Sequence, residues 1–448
     1  MGSTGFDALI LGGGFSGLSC AAALSERGLR VLLIEKKPRL GGRAFSFPDP
    51  ESGMPLDNGQ HLFMGCYRQT RRFLGRIGAA SLLRFQKALR VDYADAEGRR
   101  DVLACPSGLG SPWHLAWGVL RLKGLGLRDK WGLLRLDRYM RKLKRGGDIP
   151  AELDRATVRQ WLDSLGQARR IQERLFDPIA QGALNEDPEL AAATGLAQVM
   201  LGVFYQDAEG SRLGLSSVGL SDLYTGAARR FIESRGGEVR ISAKAKGLRE
   251  EGGRVRGAVL ESGETLSAPC IVSTLPPWEL GRLELPQALR GAWEGLGAAP
   301  IVSVGLWLER PVIEEPLVGM LGTDVQWVFN KSRILGREGG GQYLSLVISA
   351  ARRHLSWEPQ ALVELAAADL ARCFPEFSKA KIARSNVFKE PLATLSPVPG
   401  SDASRPAPGS GMPGFCFAGD WTRTGLPATI ESAVAAGHAA AEAVCEKG

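Results

Sequence analysis

Paired cysteines, a cleavable leader and long apolar runs are all missing from this sequence. The seven cysteines stand at 20, 66, 105, 270, 373, 416 and 445, an odd number with no C-x-x-C spacing. That removes the usual patterns of a structural zinc site and of a disulfide framework, leaves no metal site to assign, and favours a reducing compartment. The opening residues, MGSTGFDALILGGG, lack the basic flank and small-residue cleavage site of a secretory leader, and their apolar run ends in glycines, as a buried strand before a turn does. No stretch reaches the roughly 18 uninterrupted apolar residues that cross a bilayer, so a surface association with membrane stays open but a span does not. At 44% hydrophobic and 23% charged, the composition is that of a folded globular chain. Its 448 residues are too many for one ordinary core and suit two or three domains, each of which can be assembled from separated segments.

Negative charge is scarce in one place. Between 121 and 147, ten Lys and Arg face only Asp129 and Asp137, and this surplus equals the net +8 of the whole chain. One basic patch on an otherwise neutral molecule argues against a nucleic-acid-coating protein.

Residues 6–35, FDALILGGGFSGLSCAAALSERGLRVLLIE, read as strand, tight turn, helix, strand. Gly12, Gly14 and Gly17 keep the G-x-G-x-x-G spacing: the first permits the turn, the second admits a pyrophosphate, and the third brings helix against sheet. Phe15 and Ser16 open the helix, whose free N–H groups and positive dipole end face the phosphates. Glu35, 18 positions past Gly17, ends the second strand where an acid receives an adenosine ribose, with Lys36 beside it. Just beyond, RLGGRAFSF (39–47) offers Gly42 and the Arg43 guanidinium to the same pyrophosphate, which suits a large, permanently held flavin better than an exchanged nicotinamide. In GFCFAGDWTRTGLPATIESAVAAGHAAAEAV (414–444) a short strand ends at Gly419 and Asp420. Pro427 then opens a long Ala-rich helix, with Ala428 and Thr429 in its first turn facing a flavin edge or phosphate. Between these ends, the alternation in EVRIS, RVRGAVLES and CIVST (within 236–277) reads as short antiparallel strands and a return strand.

LDNGQHLFMGCY (56–67) sets Asp57, Asn58, Gln60 and His61 ahead of the apolar Leu62, Phe63 and Met64. So many hydrogen-bonding groups among apolar neighbours need partners; were the stretch to lie beside a cofactor ring, they could satisfy the ring and one another in a dry site, with the three apolar residues as an oily wall.

In this order the pieces resemble the FAD-dependent amine oxidase and phytoene desaturase superfamily over nearly the whole chain. LDNGQHLFMGCY beside GGRAFSF, and AGDWTRTGLPATIESAVAAG, are similar to the squalene-associated FAD-dependent desaturases, understood as hydroxysqualene dehydroxylases. The resemblance implies an α/β chain. A discontinuous Rossmann-like FAD-binding domain (1–90, 216–285 and 411–448) joins a mixed-sheet substrate domain (286–410) and a helical lid (91–215) that contacts a membrane or packs internally. It implies FAD contacts at Gly12, Gly14, Gly17, Glu35, Arg43, Val239 and Asp420, with Gly59, Gln60 and His61 near the isoalloxazine. The implied reaction is reductive dehydroxylation of hydroxysqualene to squalene in hopanoid biosynthesis. Its partners would be a C30 isoprenoid alcohol, an unidentified electron donor and the membrane surface, with no nucleic acid. The implied location is cytoplasmic and peripheral, on the inner face of the membrane. Two rivals stand beside it: a carotenoid desaturase or isomerase of the same architecture, and a non-catalytic, flavin-holding membrane scaffold.

Loss of an allylic hydroxyl needs a proton donor, for which His61 comes first and Asp57 second if desolvation keeps it protonated. Against this stand a structural histidine bonding a carbonyl or cofactor oxygen, and an aspartate capping a turn. Trp307, Trp327, Phe329 and Tyr343, in strand-like runs, would stabilise developing positive charge or simply pack. In 103–147, Leu133, Leu136, Met140 and Leu143 share one helical face and Arg135, Arg138, Lys142 and Arg145 the opposite one, with Trp113, Trp117 and Trp131 nearby. Such a helix lies in a bilayer interface or packs on the enzyme with its basic face solvated. Residues 151–215 read as helices broken at Gly166 and Pro188, and 397–414 as a Pro/Gly/Ser connector.

Overall fold

The computed structural model describes residues 5–446; residues 1–4 of the opening segment read above lie outside them. The nucleotide end is a parallel sheet in the spatial order Glu238–Arg240, Val31–Ile34, Ala8–Leu11, Cys270–Ser273, Phe415–Phe417. Every residue of Ala8–Leu11 and Val31–Ile34 is buried, which is why both read as unbroken apolar runs rather than alternating ones. The helix Phe15–Glu26 covers one face, and Ile430–Glu446 packs on it so closely that a Cβ at Gly437 would collide with the Ser16 carbonyl. The other face meets a three-stranded antiparallel layer, Ala245–Glu251, Arg254–Leu260 and Thr265–Ser267.

EVRIS does not belong to that antiparallel layer. Glu238–Arg240 runs parallel to Val31–Ile34, because the helix Leu220–Glu233 feeds it from the far end of the sheet, and a strand entered through a crossover helix joins in parallel.

A second, seven-stranded sheet follows the order Ile382–Leu395, Ala298–Leu308, Gln342–Ile348, Trp327–Asn330, Leu317–Leu321, Arg90–Asp95, Arg100–Ala104. Its neighbours are antiparallel except where Leu317–Leu321 meets Arg90–Asp95. Residues of one parity, such as Val302, Val304 and Leu306, pack under the helix Pro359–Cys373. The other parity turns toward residues 54–64 at one end and toward the helices between 113 and 204 at the other. Those helices include Trp113–Arg121, Leu127–Gly146, Val158–Ser164, Asp177–Leu184 and Ala193–Phe204.

Gly166, at φ +66, sits just past Val158–Ser164 and ends that helix as read. The next break comes at Asn185 (φ 52) rather than at Pro188. Its amide donates to the Ala299 and Pro300 carbonyls and to Thr394 Oγ1, and its Oδ1 accepts from Ala350 N–H, so long-range bonds hold a left-handed residue in place. No helix among the described residues is long and apolar enough to cross a membrane, and no group of three or more His, Cys, Asp or Glu among them could hold a metal ion.

Candidate functional site

Two glycine turns meet at the end of the parallel sheet. Gly12 adopts φ +110, and a Cβ at Gly17 would strike the Gly12 carbonyl, so neither position tolerates a side chain. Gly14 and Gly42 face each other, with the Cβ position of Gly42 only 3.2 Å from Gly14 Cα. The floor between them is bare backbone. Gly14 caps the helix Phe15–Glu26 without a side-chain hydrogen bond, leaving its first N–H groups to an anion. Buried Ser16 Oγ and Arg39 Nη1 have no protein partner, at about 1–3 kcal/mol for each unsatisfied group unless a ligand supplies one. Glu35 takes Gly13 N–H on Oε2 (2.8 Å) and Lys37 N–H on Oε1 (2.9 Å), fixing the carboxylate at the strand end. Its own N–H donates to the Arg240 carbonyl (2.9 Å), which brings the Val239 strand alongside. A slot free of side chains, helix N–H groups, an arginine and an anchored acid are the donor set of a dinucleotide.

Two residues within the motif turn their side chains elsewhere. The Phe15 ring stacks on Tyr224 in the core (centroids 3.7 Å apart), and the Lys36 ammonium pairs with Glu279.

At the C-terminal loop, Arg43 pairs with buried Asp420 and donates to the Ala393 carbonyl at 3.3 Å. Gly419 adopts φ +126 against the Trp421 ring. Pro427 does not open the helix, which starts at Ile430; Thr429 accepts from Ser432 N–H at a long 3.5 Å in the N-cap position, and a capping hydroxyl displaces the start past the proline. Ala428 and Thr429 therefore lie in the loop itself. That loop is held by Arg405, which the connector reading overlooked. Its guanidinium, 5% exposed as a residue, donates to the carbonyls of Asp420 (3.0 Å), Trp421 (3.2 Å), Thr422 (2.6 Å) and Leu426 (3.0 Å) and to Asp402 (2.9 Å). The only sequence signal was a lone arginine in a Pro/Gly/Ser run.

In the polar strip, Asn58 is bonded into the Gly-Gly-Arg segment. Its amide donates to the Arg43 carbonyl (3.0 Å) and Glu390 (3.1 Å), and its Oδ1 accepts from Phe45 N–H (3.1 Å). Asp57 spends Oδ2 on the Lys331 ammonium at 2.7 Å and Oδ1 on Leu220 N–H at 3.0 Å. With both oxygens engaged it is a positioning carboxylate and not the proton donor expected of it. Lys331, equally buried, was not foreseen at all. His61 Nδ1 lies 3.1 Å from the Gly59 carbonyl, which can only accept, so that nitrogen carries the proton and Nε2 presents its lone pair. Burial above all pushes the imidazole pKa down, outweighing the pull of Asp57. With Nδ1 holding the proton, Nε2 of the neutral ring presents an acceptor.

The oily wall divides between two cores. Phe63 packs into the nucleotide-domain core, while Leu62 and Met64 join the cluster of the helical part, since neighbours along a strand point to opposite sides. Burial also pushes the Cys66 thiol up to about 12. Of the four aromatics, Trp307 stacks on Tyr343 (4.2 Å) beside Met54 and Leu56, and Trp327 and Phe329 pack toward the helices.

On the basic helix, Leu136, Met140 and Leu143 are buried, Leu133 is half-buried, and Arg135, Arg138, Lys142 and Arg145 are exposed. Trp113, Trp117, Leu120, Leu127, Trp131 and Leu134 are exposed too, between 48% and 77%. The solvent side of 113–145 is therefore apolar and cationic together.

Residues 15–445 match the family described as "Flavin containing amine oxidoreductase". Among curated relatives, a hydroxysqualene dehydroxylase from Sinorhizobium fredii is 28% identical over 97% of both chains. A 15-cis-phytoene desaturase from Glycine max is 23% identical over 98% of this chain and 79% of its own. Among solved structures, cyclohexylamine oxidase from Brevibacterium oxydans shares the fold at a TM-score of 0.74, with 18% identity over 99% of each chain. FAD, for whose phosphates Ser16 Oγ and Arg39 Nη1 are open donors, is the cofactor, and the chain belongs to the flavin-containing amine oxidoreductases.

Proposed function

We propose that this enzyme removes the hydroxyl of a C30 isoprenoid alcohol of the hydroxysqualene type, at the surface of a membrane. One observation carries the reading. A single apolar cluster runs from Val119, Leu136 and Met140 in the helical part to Trp327 and Phe329 of the sheet and to Leu62 and Met64, which flank the polar strip at His61. That grading, apolar along its length and polar at the strip, matches in character a long hydrocarbon carrying one polar group. The end-to-end match to the Sinorhizobium relative supports the same substrate class.

In this reading Gly12, Gly14, Gly17, Gly42, Arg43 and the helix start at Ser16 hold the pyrophosphate. Glu35 and the backbone near Val239 hold the adenosine, and the Arg405-clamped loop from Gly419 to Thr429 holds the ribityl chain and ring. Bound in its reduced form, FAD would supply the hydride that replaces the hydroxyl, so that alcohol and two-electron-reduced cofactor would give hydrocarbon, water and oxidised cofactor. Asp57 with Lys331 fixes the strip, His61 Nε2 accepts a hydrogen bond within it, and the apolar layer keeps bulk water out. The exposed tryptophans, leucines and bases of 113–145 seat the enzyme on anionic lipid, on the cytoplasmic face, where so insoluble a substrate resides.

The 23% identity to a phytoene desaturase favours a second reading, in which electrons flow the other way. Anaerobic mixing separates the two. Dehydroxylation predicts that the reduced protein turns hydroxysqualene into squalene as the flavin reoxidises; a desaturase would instead reduce its oxidised flavin with phytoene. A flavin that responds to neither refutes both and leaves a scaffold.

A further inference from the structure

The strand Ala298–Leu308 presents Ser303 and Gly305 on the sheet face that meets the polar strip. Ser303, 3% exposed, has its Oγ 3.7 Å from where a Cβ on Gly59 would stand. Asn386, paired across the sheet with Gly305, folds its Oδ1 over that glycine, where no Cβ would fit. Gln60 is next in the chain to Gly59. Ser303 Oγ, Asn386 Oδ1 and Gln60 Nε2 are buried and without a hydrogen-bond partner, while the Asn386 side chain also meets the Tyr343 hydroxyl, its neighbour over Gly305. Three such atoms, two of them beside Gly59 and Gly305 and the third on the residue that follows Gly59, are costly to keep unless something with hydrogen-bonding groups enters. A pure hydrocarbon brings none. An alcohol brings one O–H donor and two acceptor lone pairs, and the orphans offer one fixed acceptor (Asn386 Oδ1), one fixed donor (Gln60 Nε2) and one hydroxyl that does either.

We infer that Ser303, Asn386 and Gln60 form the subsite that receives the substrate hydroxyl, Asn386 Oδ1 accepting its hydrogen while Gln60 Nε2 and Ser303 donate to its oxygen. The inference rests on the dehydroxylase reading and deepens it. The site selects the alcohol by hydrogen bonding and loses its hold once the hydroxyl is gone, so the hydrocarbon product is released in preference to being retained. A site built around a hydroxyl rejects the analogue lacking it far more strongly than an apolar pocket rejects a missing methylene.

The test is binding to the oxidised holoenzyme, in which no turnover occurs, followed by the flavin absorbance change on adding hydroxysqualene or squalene in mixed micelles. Wild type should bind the alcohol about two- to tenfold more tightly, the size of one net hydrogen bond. Asn386→Leu and Ser303→Ala should each bring that ratio toward one while leaving squalene affinity and FAD content unchanged. A ratio that survives both substitutions in an enzyme that dehydroxylates overturns the subsite alone. A loss of bound FAD in these variants overturns it too, assigning the orphans to the cofactor. Equal binding of both ligands by a wild type that also fails to turn over removes the dehydroxylase reading with it.

Discussion

Lys331→Met removes the ammonium that sits 2.7 Å from Asp57 and keeps a stem of similar length. Both side chains are nearly sealed, at 4% and 3% exposure, so the carboxylate left behind has no solvent to turn to and retains only Leu220 N–H. Removing one partner of such a pair costs about 3–5 kcal/mol, most of it the penalty of an uncompensated buried charge. At roughly 2.1 cal/mol/K of unfolding entropy per residue, a chain of this size loses about 1 °C of Tm per kcal/mol, so the variant should melt about 3–5 °C lower. Asp57→Asn in the same chain keeps an oxygen for Leu220 N–H and removes the charge, so the double variant should be more stable than Lys331→Met alone. Thermal and denaturant unfolding of the holoprotein, run as a double-mutant cycle, reads both quantities. A loss below about 1 kcal/mol in the single variant, or a double variant no better than the sum of the singles, would refute the ion pair as the tie between strip and sheet.

His438 donates from Nδ1 to Gln69 Oε1 (2.8 Å) and accepts from Arg76 at Nε2 (2.9 Å), and burial first, then the nearby arginines, push its pKa down to about 4. A histidine held neutral when folded but titrating near 6.5 when unfolded gives stability that is present above pH 6.5 and lost as pH falls toward 4. The loss is about 3 kcal/mol in all, and His438→Gln should flatten that part of a denaturation-versus-pH curve. Arg405→Met leaves the carbonyls of the Asp420–Leu426 loop without their shared donor. Bound FAD per chain should fall with the parallel sheet still folded, read by absorbance ratio and circular dichroism, and full occupancy would speak against the clamp. Trp113→Ser with Trp117→Ser and Trp131→Ser should weaken flotation with phosphatidylglycerol vesicles at least about tenfold, and added salt should weaken the wild type, since apolar burial and screened charge both contribute. Unchanged flotation would leave 113–145 as an ordinary surface.

What could be read in advance was whatever a short stretch decides for itself. The turn at Gly12–Gly17, Glu35 at a strand end and Gly42 beside Arg43 are imposed by backbone geometry within a few residues, and the structure joins them in one slot. Phe15 and Lys36 lie within the same motif, yet their side chains leave it, because position in a motif does not set which way a side chain points. Pro427 lost to Thr429 in a local competition between two helix-start signals that sequence alone does not rank. Lys331, Arg405 and Asn185 stayed invisible for another reason. Lys331 and Asp57 are 274 positions apart, and Asn185 is fixed by Ala299, Ala350 and Thr394, so only tertiary pairing shows what they do. The His61 tautomer likewise depends on where one carbonyl points.

In the proposed dehydroxylation, hydride passes from the reduced cofactor to the carbon that bore the hydroxyl. A single turnover in deuterium oxide tests it most directly, with the holoprotein reduced and exchanged before hydroxysqualene is added without oxygen. One squalene per flavin is expected, carrying one deuterium at the former carbinol carbon, as the flavin absorbance returns. Squalene without the label, or a flavin that stays reduced beside unconsumed alcohol, would contradict it.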